Sequence, residues 1–217
     1  MGDSNTRGTM SEPPGGYRLP LQQLLDSAGI KYDFVGSQTR HSDGMKDPEH
    51  EGFGGWRVHQ ILEGREEKSL GLKSLGTDQV MDRYEPDVVL VMAGINDVFR
   101  GDKAEKIVTD MRDLLVALFY KKPDVKILLG NLLPVSSARV ASGEVKQDFI
   151  VQTRRYNEQI PAVVDALKKL NYRIELVDIH SVVDETELVD DVHPNSKAMS
   201  KMGRAWFEAF MKSGFWK

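Results

Sequence analysis

The chain has 217 residues, a net charge of −4 and no cysteine, and 40% of its residues are hydrophobic. This length and apolar content suit one globular domain over residues 1–217 with a sizeable buried core. Without cysteine, disulfides, thiolate metal sites and a cysteine nucleophile are excluded. Because charges of both signs are mixed and no basic block occurs, we expect no nucleic-acid partner. No apolar run approaches the ~20 residues of a membrane span, so we expect no membrane partner.

The first quarter of the chain is predicted to be mostly loop. Residues 1–16 are rich in glycine, proline, serine and threonine, a composition typical of loops. Leucines at helical spacing predict a helix over residues 17–29, and a short strand is predicted over 32–36. The polar, glycine-rich residues 37–55 are predicted to form a loop at the rim of a site.

Beyond residue 55, helical and strand patterns alternate. Apolar residues at helical spacing predict helices at 56–63, 77–84, 103–121, 147–170 and from Asn195 onward. A continuous apolar run predicts a strand buried on both faces at 86–94, a second buried strand is predicted at 125–133, and the last strand is predicted at 174–179. Pro161 lies inside the longest predicted helix and should kink or interrupt it.

This alternation predicts an α/β fold, a three-layer α/β/α sandwich around a central parallel sheet. In such sheets, ligands bind beyond the carboxyl ends of the strands. Ser4, Asn96 and the pair Asp190 and His193 each follow a strand or a strand position. We therefore expect these side chains to meet at one edge of the sheet, although they are scattered along the chain.

Four short stretches carry residues that could perform chemistry. They are Gly-Asp-Ser-Asn-Thr at 2–6, Gly-Gly-Trp at 54–56, Gly-Ile-Asn-Asp at 94–97 and Asp-Asp-Val-His-Pro at 190–194. A serine hydroxyl becomes a nucleophile when a histidine takes its proton and a carboxylate orients that histidine. Each stretch by itself is common in proteins. Together, in this order, they resemble the sequence blocks of the SGNH hydrolases, also called the GDSL esterase/lipase superfamily.

The resemblance implies a catalytic triad. It makes Ser4 the nucleophile and His193 the general base toward Ser4, then the acid toward the leaving alcohol. It selects Asp190 as the partner of His193, although the neighbouring Asp191 could also pair with that ring. Taken without the other blocks, Ser4 would be interpreted as a turn residue or a helix cap.

The resemblance also implies an oxyanion hole, a set of N–H groups that stabilises negative charge on the reacting oxygen. Its donors would be the backbone N–H groups of Ser4 and Gly55 and the side-chain amide of Asn96. Without the resemblance, Asn96 would be interpreted as a turn residue that ends a strand. Asp3 and Asp97 are expected to serve local hydrogen bonds. No cofactor and no metal are expected.

The substrate is indicated less specifically than the reaction. Residues 33–37 and 47–56 resemble the carbohydrate esterase branch of the superfamily, nearest to family 3, which includes acetylxylan esterases. This resemblance implies hydrolysis of acetyl esters on carbohydrate such as xylan, with Trp56 and Asn5 as candidate substrate contacts. Trp56 could stack on a sugar or could simply pack. A lysophospholipase, a thioesterase, a general short-chain esterase and a catalytically silent carbohydrate-binding module are the alternatives.

The beginning of the sequence differs from the family pattern. The resembling proteins place their first parallel strand just before the Gly-Asp-Ser turn, whereas no strand pattern precedes Gly2 here. A nucleophile needs rigid support, so we expect the natural protein to carry further apolar residues upstream, with a signal peptide ahead of them if it is secreted. A protein without disulfides can reside inside or outside a cell, so the sequence does not indicate the compartment.

Overall fold

The computed structural model describes residues 1–67, 72–74, 76–137, 147–190 and 192–216. The helices are α1 (Ser4–Arg7), α2 (Arg18–Ser27), α3 (Val58–Glu63), α4 (Thr77–Tyr84), α5 (Ile95–Phe99), α6 (Ala104–Lys121), α7 (Gln147–Lys169) and α8 (Ser196–Ser213). The strands are β1 (Arg65–Glu67), β2 (Leu72–Ser74), β3 (Val88–Val91), β4 (Lys126–Gly130) and β5 (Arg173–Val177). Two short 3₁₀ helices span His180–Val182 and Glu185–Glu187.

A parallel sheet forms the centre of the fold. Its strands lie in the order β3-β4-β5, with Val88 opposite Lys126 and Lys126 opposite Arg173. The strands β1 and β2 pair separately and antiparallel. This pair was not predicted, because three-residue strands are too short to show an alternating apolar pattern.

The sheet extends beyond β3 through single-residue pairings. Gly2 forms parallel bridges with both Gly52 and Met92. Its N–H donates to the carbonyl of Glu51 at 2.9 Å, and its carbonyl accepts the N–H of Phe53 at 2.9 Å. The backbone at the start of the Gly-Asp-Ser turn therefore lies in the sheet beside β3, at the position of the family's first strand.

The strand predicted over residues 32–36 does not form. Within this segment the Phe34 N–H donates to Asp47 Oδ2 at 2.6 Å, and directly after it the Ser37 N–H donates to Glu51 Oε2 at 2.7 Å. A strand requires backbone partners along its length, and here carboxylates satisfy these N–H groups instead. The prediction of a strand at 32–36 is therefore wrong.

Helices cover both faces of the sheet, which confirms the predicted parallel sheet with flanking helices. Along β4, Leu128 faces a cluster that includes Leu21 of α2 and Trp206 of α8. Ile127 and Leu129 face the opposite cluster, which contains residues of α3, α6 and α7. This alternation follows from the strand period of two, which sends successive side chains to opposite faces.

Two predictions about burial and helix continuity need correction. Residues 86–94 were predicted to form a strand buried on both faces, but Val88 and Leu90 are only partly buried because they border a cleft of about 710 Å³. The predicted interruption at Pro161 does not occur, since α7 continues through it. Tyr156, Ile160, Val164 and Leu167 are all buried in the core on both sides of this proline, so packing holds the helix together.

None of the helices in the described ranges combines the length and apolar character needed to cross a membrane.

Candidate active site

Ser4 begins helix α1 directly after the chain leaves the sheet. It is 6% exposed, and the preceding Asp3 caps α1 by accepting the Asn5 N–H at 2.9 Å. Burial raises the pKa of the Asp3 carboxyl to about 7. A Cβ atom on Gly2 would lie 2.2 Å from the Met92 carbonyl, so only glycine fits this tight approach to the sheet. The serine is thus held rigidly by one sheet pairing and one helix cap.

His193 reaches Ser4 from the far end of the chain. Its loop is closed by an antiparallel bridge between Leu188 and Pro194 and by a 2.8 Å hydrogen bond from the Val189 N–H to the His193 carbonyl. His193 Nε2 lies 2.9 Å from Ser4 Oγ, although 189 residues separate the two in sequence. This distance allows the hydroxyl to donate to the ring nitrogen.

Asp190 holds the other side of the histidine ring. His193 Nδ1 lies 2.7 Å from Asp190 Oδ2, while Asp190 Oδ1 accepts the backbone N–H groups of Val192 and His193 at 2.9 and 2.8 Å. Partial burial by itself raises the pKa of Asp190, but these hydrogen bonds lower it by more. The pKa of Asp190 therefore lies below its ordinary value. An ionised carboxylate accepts the Nδ1–H, which leaves Nε2 as the acceptor toward Ser4. The competing Asp191 lies outside the described residues.

Of the three expected oxyanion donors, Ser4 lies at the start of α1, Gly55 on a turn and Asn96 on α5. Gly55 is exposed and has φ +78°, a left-handed conformation that favours glycine. Asn96 lies in the first turn of α5, and its Nδ2 donates to the Trp56 carbonyl at 3.0 Å. An amide NH₂ carries two hydrogens, so one is engaged with this loop and the second can donate to a ligand.

The two expected substrate contacts are both buried. The Trp56 ring is 0% exposed and stacks on Phe53 with ring centroids 4.1 Å apart. It offers no face to a sugar, so the stacking prediction for Trp56 is wrong and the packing alternative describes this residue. Asn5 is 3% exposed, and its buried Oδ1 has no hydrogen-bond partner among the described residues. Its contact with substrate stays a prediction.

Arg18 is a buried residue that sequence reasoning missed. Its guanidinium donates to the carbonyls of Thr6 and Arg7 on α1, at 3.0 Å each, and to Ser42 Oγ and the His41 carbonyl of the following loop. Burial lowers the pKa of Arg18 to about 10. The hydrogen bonds of Arg18 link α1, which carries Ser4, to the loop at 41–42. No local signal indicates this role, since an arginine at a helix start is ordinarily exposed.

Asp97 was expected to make local hydrogen bonds, but its carboxylate accepts the N–H of Val58, 39 residues away. Burial raises the pKa of Asp97 to about 7. Oxygen and nitrogen atoms of Asp97, His59 and Asp110 lie within 4.8 Å of one another, a spacing that could hold a metal ion. Lys106 Nζ lies 2.5 Å from Asp110 Oδ2 and already supplies positive charge to this group.

Known proteins of similar sequence and fold include several esterases. Over 221 aligned residues, the chain is 29% identical to a multidomain esterase from Ruminococcus flavefaciens, covering 96% of this chain and 27% of that protein. The chain therefore spans about a quarter of the length of this curated relative. Among solved structures, a Clostridium thermocellum family 3 carbohydrate esterase superposes with a TM-score of 0.76 at 24% identity, covering 98% and 93% of the two chains. An acetyl esterase solved with an acetate ion superposes with a TM-score of 0.74 at 22% identity, covering 98% and 94%.

The family model described as "GDSL-like Lipase/Acylhydrolase family" matches residues 1–201. This match covers all four sequence blocks, from the serine turn to the histidine loop. It confirms the family resemblance and the enzyme class that the resemblance implied, a carboxylic ester hydrolase. The chain belongs to the GDSL-like lipase/acylhydrolase family.

Proposed function

We propose that this chain hydrolyses short-chain carboxylic esters, with Ser4 as nucleophile, His193 as general base and Asp190 as the group that orients the histidine. The observation that carries the proposal is the unbroken series of hydrogen bonds from Ser4 Oγ to His193 Nε2 at 2.9 Å and from His193 Nδ1 to Asp190 Oδ2 at 2.7 Å. Serine is unreactive while its hydroxyl stays protonated, and this arrangement removes the proton as the hydroxyl attacks.

The first half of the reaction forms an acyl-serine. Ser4 Oγ bonds to the ester carbonyl carbon as its proton passes to His193 Nε2, and the carbonyl oxygen becomes an oxyanion. When this intermediate collapses, the bond to the alcohol oxygen breaks and His193 returns the proton to the leaving alcohol. Asp190 stays ionised throughout and stabilises the imidazolium that forms in each half.

The second half releases the acid. Water attacks the acyl carbon as His193 Nε2 takes its proton, and a second oxyanion forms. Collapse breaks the bond between the acyl carbon and Ser4 Oγ, and His193 returns the proton to the serine. The oxyanion in both halves would accept hydrogen bonds from the backbone N–H groups of Ser4 and Gly55 and from Asn96 Nδ2, with each donor contributing about 3–4 kcal/mol.

Asn96→Ala should lower kcat by about 10²–10³-fold with little change in KM, because this donor acts mainly on charge that develops during the reaction. Initial rates over a range of p-nitrophenyl acetate concentrations separate the two constants. A variant that raises KM at an unchanged kcat would show that Asn96 binds the ground-state substrate instead.

The acyl group is proposed to be acetyl and the alcohol a carbohydrate such as xylan. The polar residues of 37–55 and the lack of an apolar lid segment support a short acyl chain. The structures that share this fold include a carbohydrate esterase and an acetyl esterase. Because Trp56 is buried, its ring does not contribute to the argument for a sugar.

Acetyl esters should be hydrolysed faster than octanoyl esters. A series of p-nitrophenyl esters from two to eight carbons tests this order through kcat/KM. A rate that rises with chain length would favour a lipase or lysophospholipase on the same fold. Acetate release from acetylated xylan then tests the carbohydrate. A chain inactive on every ester, despite a normal melting curve, would favour the catalytically silent binding module.

A further inference from the structure

One short segment of the backbone is held at two points by consecutive residues of α5. Asn96 Nδ2 donates to the Trp56 carbonyl at 3.0 Å, and two residues further on the Val58 N–H donates to the Asp97 carboxylate. The Val58 nitrogen lies 3.1 Å from Oδ2 and 3.3 Å from Oδ1 of Asp97. Both ends of the segment from Trp56 to Val58 are therefore tied to the first turn of α5.

The hydrogen bond from the Val58 N–H to the Asp97 carboxylate is costly to lose because both residues are buried. Asp97 and Val58 are both 0% exposed, so water cannot replace either partner. The Val58 N–H belongs to the first turn of α3 and has no acceptor within that helix. An unsatisfied buried backbone donor costs free energy comparable to a lost hydrogen bond. The loop would therefore shift toward solvent if the carboxylate were removed.

The position of this segment bears directly on the proposed chemistry. Gly55 immediately precedes it, while Asn96 lies on the other side of the Trp56 carbonyl. Two of the three proposed oxyanion donors, Gly55 and Asn96, thus lie on a turn and on α5, about 40 residues apart in sequence. The hydrogen bond from Asn96 to the Trp56 carbonyl links these two segments. Catalytic groups must be held within about 0.5 Å of their productive positions.

We infer that Asp97 is a positioning residue for the oxyanion hole: by accepting the Val58 N–H, it fixes the loop of Gly55 relative to Asn96. This inference rests on the proposed function. Asp97 touches no reacting atom, so it acts through the placement of the Gly55 N–H. Without the hydrogen bond to Asp97, the distance between the Gly55 N–H and Asn96 Nδ2 would increase. A displacement of about 1 Å can lower a rate by about 10²-fold.

Asp97→Ala should therefore lower kcat for p-nitrophenyl acetate by about 10²-fold at nearly unchanged KM. Asp97→Asn should recover most of this loss, because an amide oxygen can still accept the Val58 N–H. The matched control is Gln152→Ala. Gln152 is also buried, and its Oε1 accepts the N–H of Ala104 in the first turn of α6 at 2.9 Å. That variant should lower Tm without changing kcat.

A second variant removes the same hydrogen bond from its other end. Val58→Pro deletes the backbone donor, and proline is tolerated at the first position of a helix. The preceding Arg57 has φ −89° and ψ 162°, the extended conformation that a following proline requires. Val58→Pro should reproduce the kcat loss of Asp97→Ala, and the double variant should lose no more than either single one.

The outcomes separate this inference from the proposed function. If wild type and Ser4→Ala hydrolyse the ester equally slowly, the proposed function fails. If wild type is active and both Asp97→Ala and Val58→Pro keep its kcat, the inference is overturned while the function stands. A kcat loss in Gln152→Ala equal to that of Asp97→Ala would also overturn it, because general destabilisation would then account for the effect. If Asp97→Ala does not fold, Asp97→Asn and Val58→Pro carry the same test.

Discussion

Replacing Ser4 with alanine should lower kcat for p-nitrophenyl acetate by about 10⁴-fold or more while the fold stays intact. The hydroxyl that accepts the acyl group is removed, and the Ser4 carbonyl bonds that close α1, from the N–H groups of Gly8 and Thr9, do not involve the side chain. Initial rates, together with thermal unfolding followed by circular dichroism, separate lost chemistry from lost structure.

Ser11→Ala is the matched control for this change. Ser11 is also buried, and its Oγ donates to the Gly8 carbonyl and accepts the Gly16 N–H, contacts with a structural role. That variant should lose about 1 kcal/mol of stability and keep its kcat. If Ser4→Ala retained more than a tenth of the wild-type rate, Ser4 would have to be removed from the mechanism.

Asp190→Asn should lower kcat by about 10⁴-fold, the effect known for this position in serine–histidine–aspartate triads. The amide oxygen can still accept the Val192 and His193 N–H groups that Oδ1 accepts now, so the loop should keep its shape. The amide NH₂, however, would face His193 Nδ1 and favour the tautomer with the proton on Nε2. That tautomer cannot take the proton of Ser4.

Asp184→Asn provides the comparison for this loss. Asp184 Oδ1 accepts the N–H of Thr186 two residues on, at 2.9 Å, the same local pattern as in Asp190. It makes no contact with the histidine ring among the described residues, so this variant should keep the wild-type kcat. Should Asp191→Asn show the large loss and Asp190→Asn a small one, Asp191 would replace Asp190 as the orienting group.

Long periodic elements were predictable from sequence, whereas short ones were not. The helix predicted over 103–121 forms as Ala104–Lys121, with Ile107, Met111, Leu114 and Leu118 fully buried along one stripe. Helical hydrogen bonds are made within the segment itself, so local pattern is informative. A strand needs partners elsewhere in the chain, and for that reason residues 32–36 failed as a strand despite a suitable composition.

The order of the four blocks determined the family, the enzyme class and a short set of candidate groups, because these depend on which side chains are present. The side-chain chemistry of serine, histidine, aspartate and asparagine is the same wherever the chain places them. The distance between these side chains depends on how the chain folds. Only the tertiary structure therefore shows that Ser4 Oγ lies 2.9 Å from His193 Nε2.

Exposure and long-range contacts were decided by the tertiary structure. Trp56 was a plausible sugar platform by residue type, but Phe53 and the surrounding core cover it completely. Arg18 and Asp97 belong to charged residue types that are mostly exposed in proteins, yet both are buried with backbone partners from distant segments. Burial and partner identity depend on atoms contributed by residues tens of positions away, and no local pattern in this sequence specifies those neighbours.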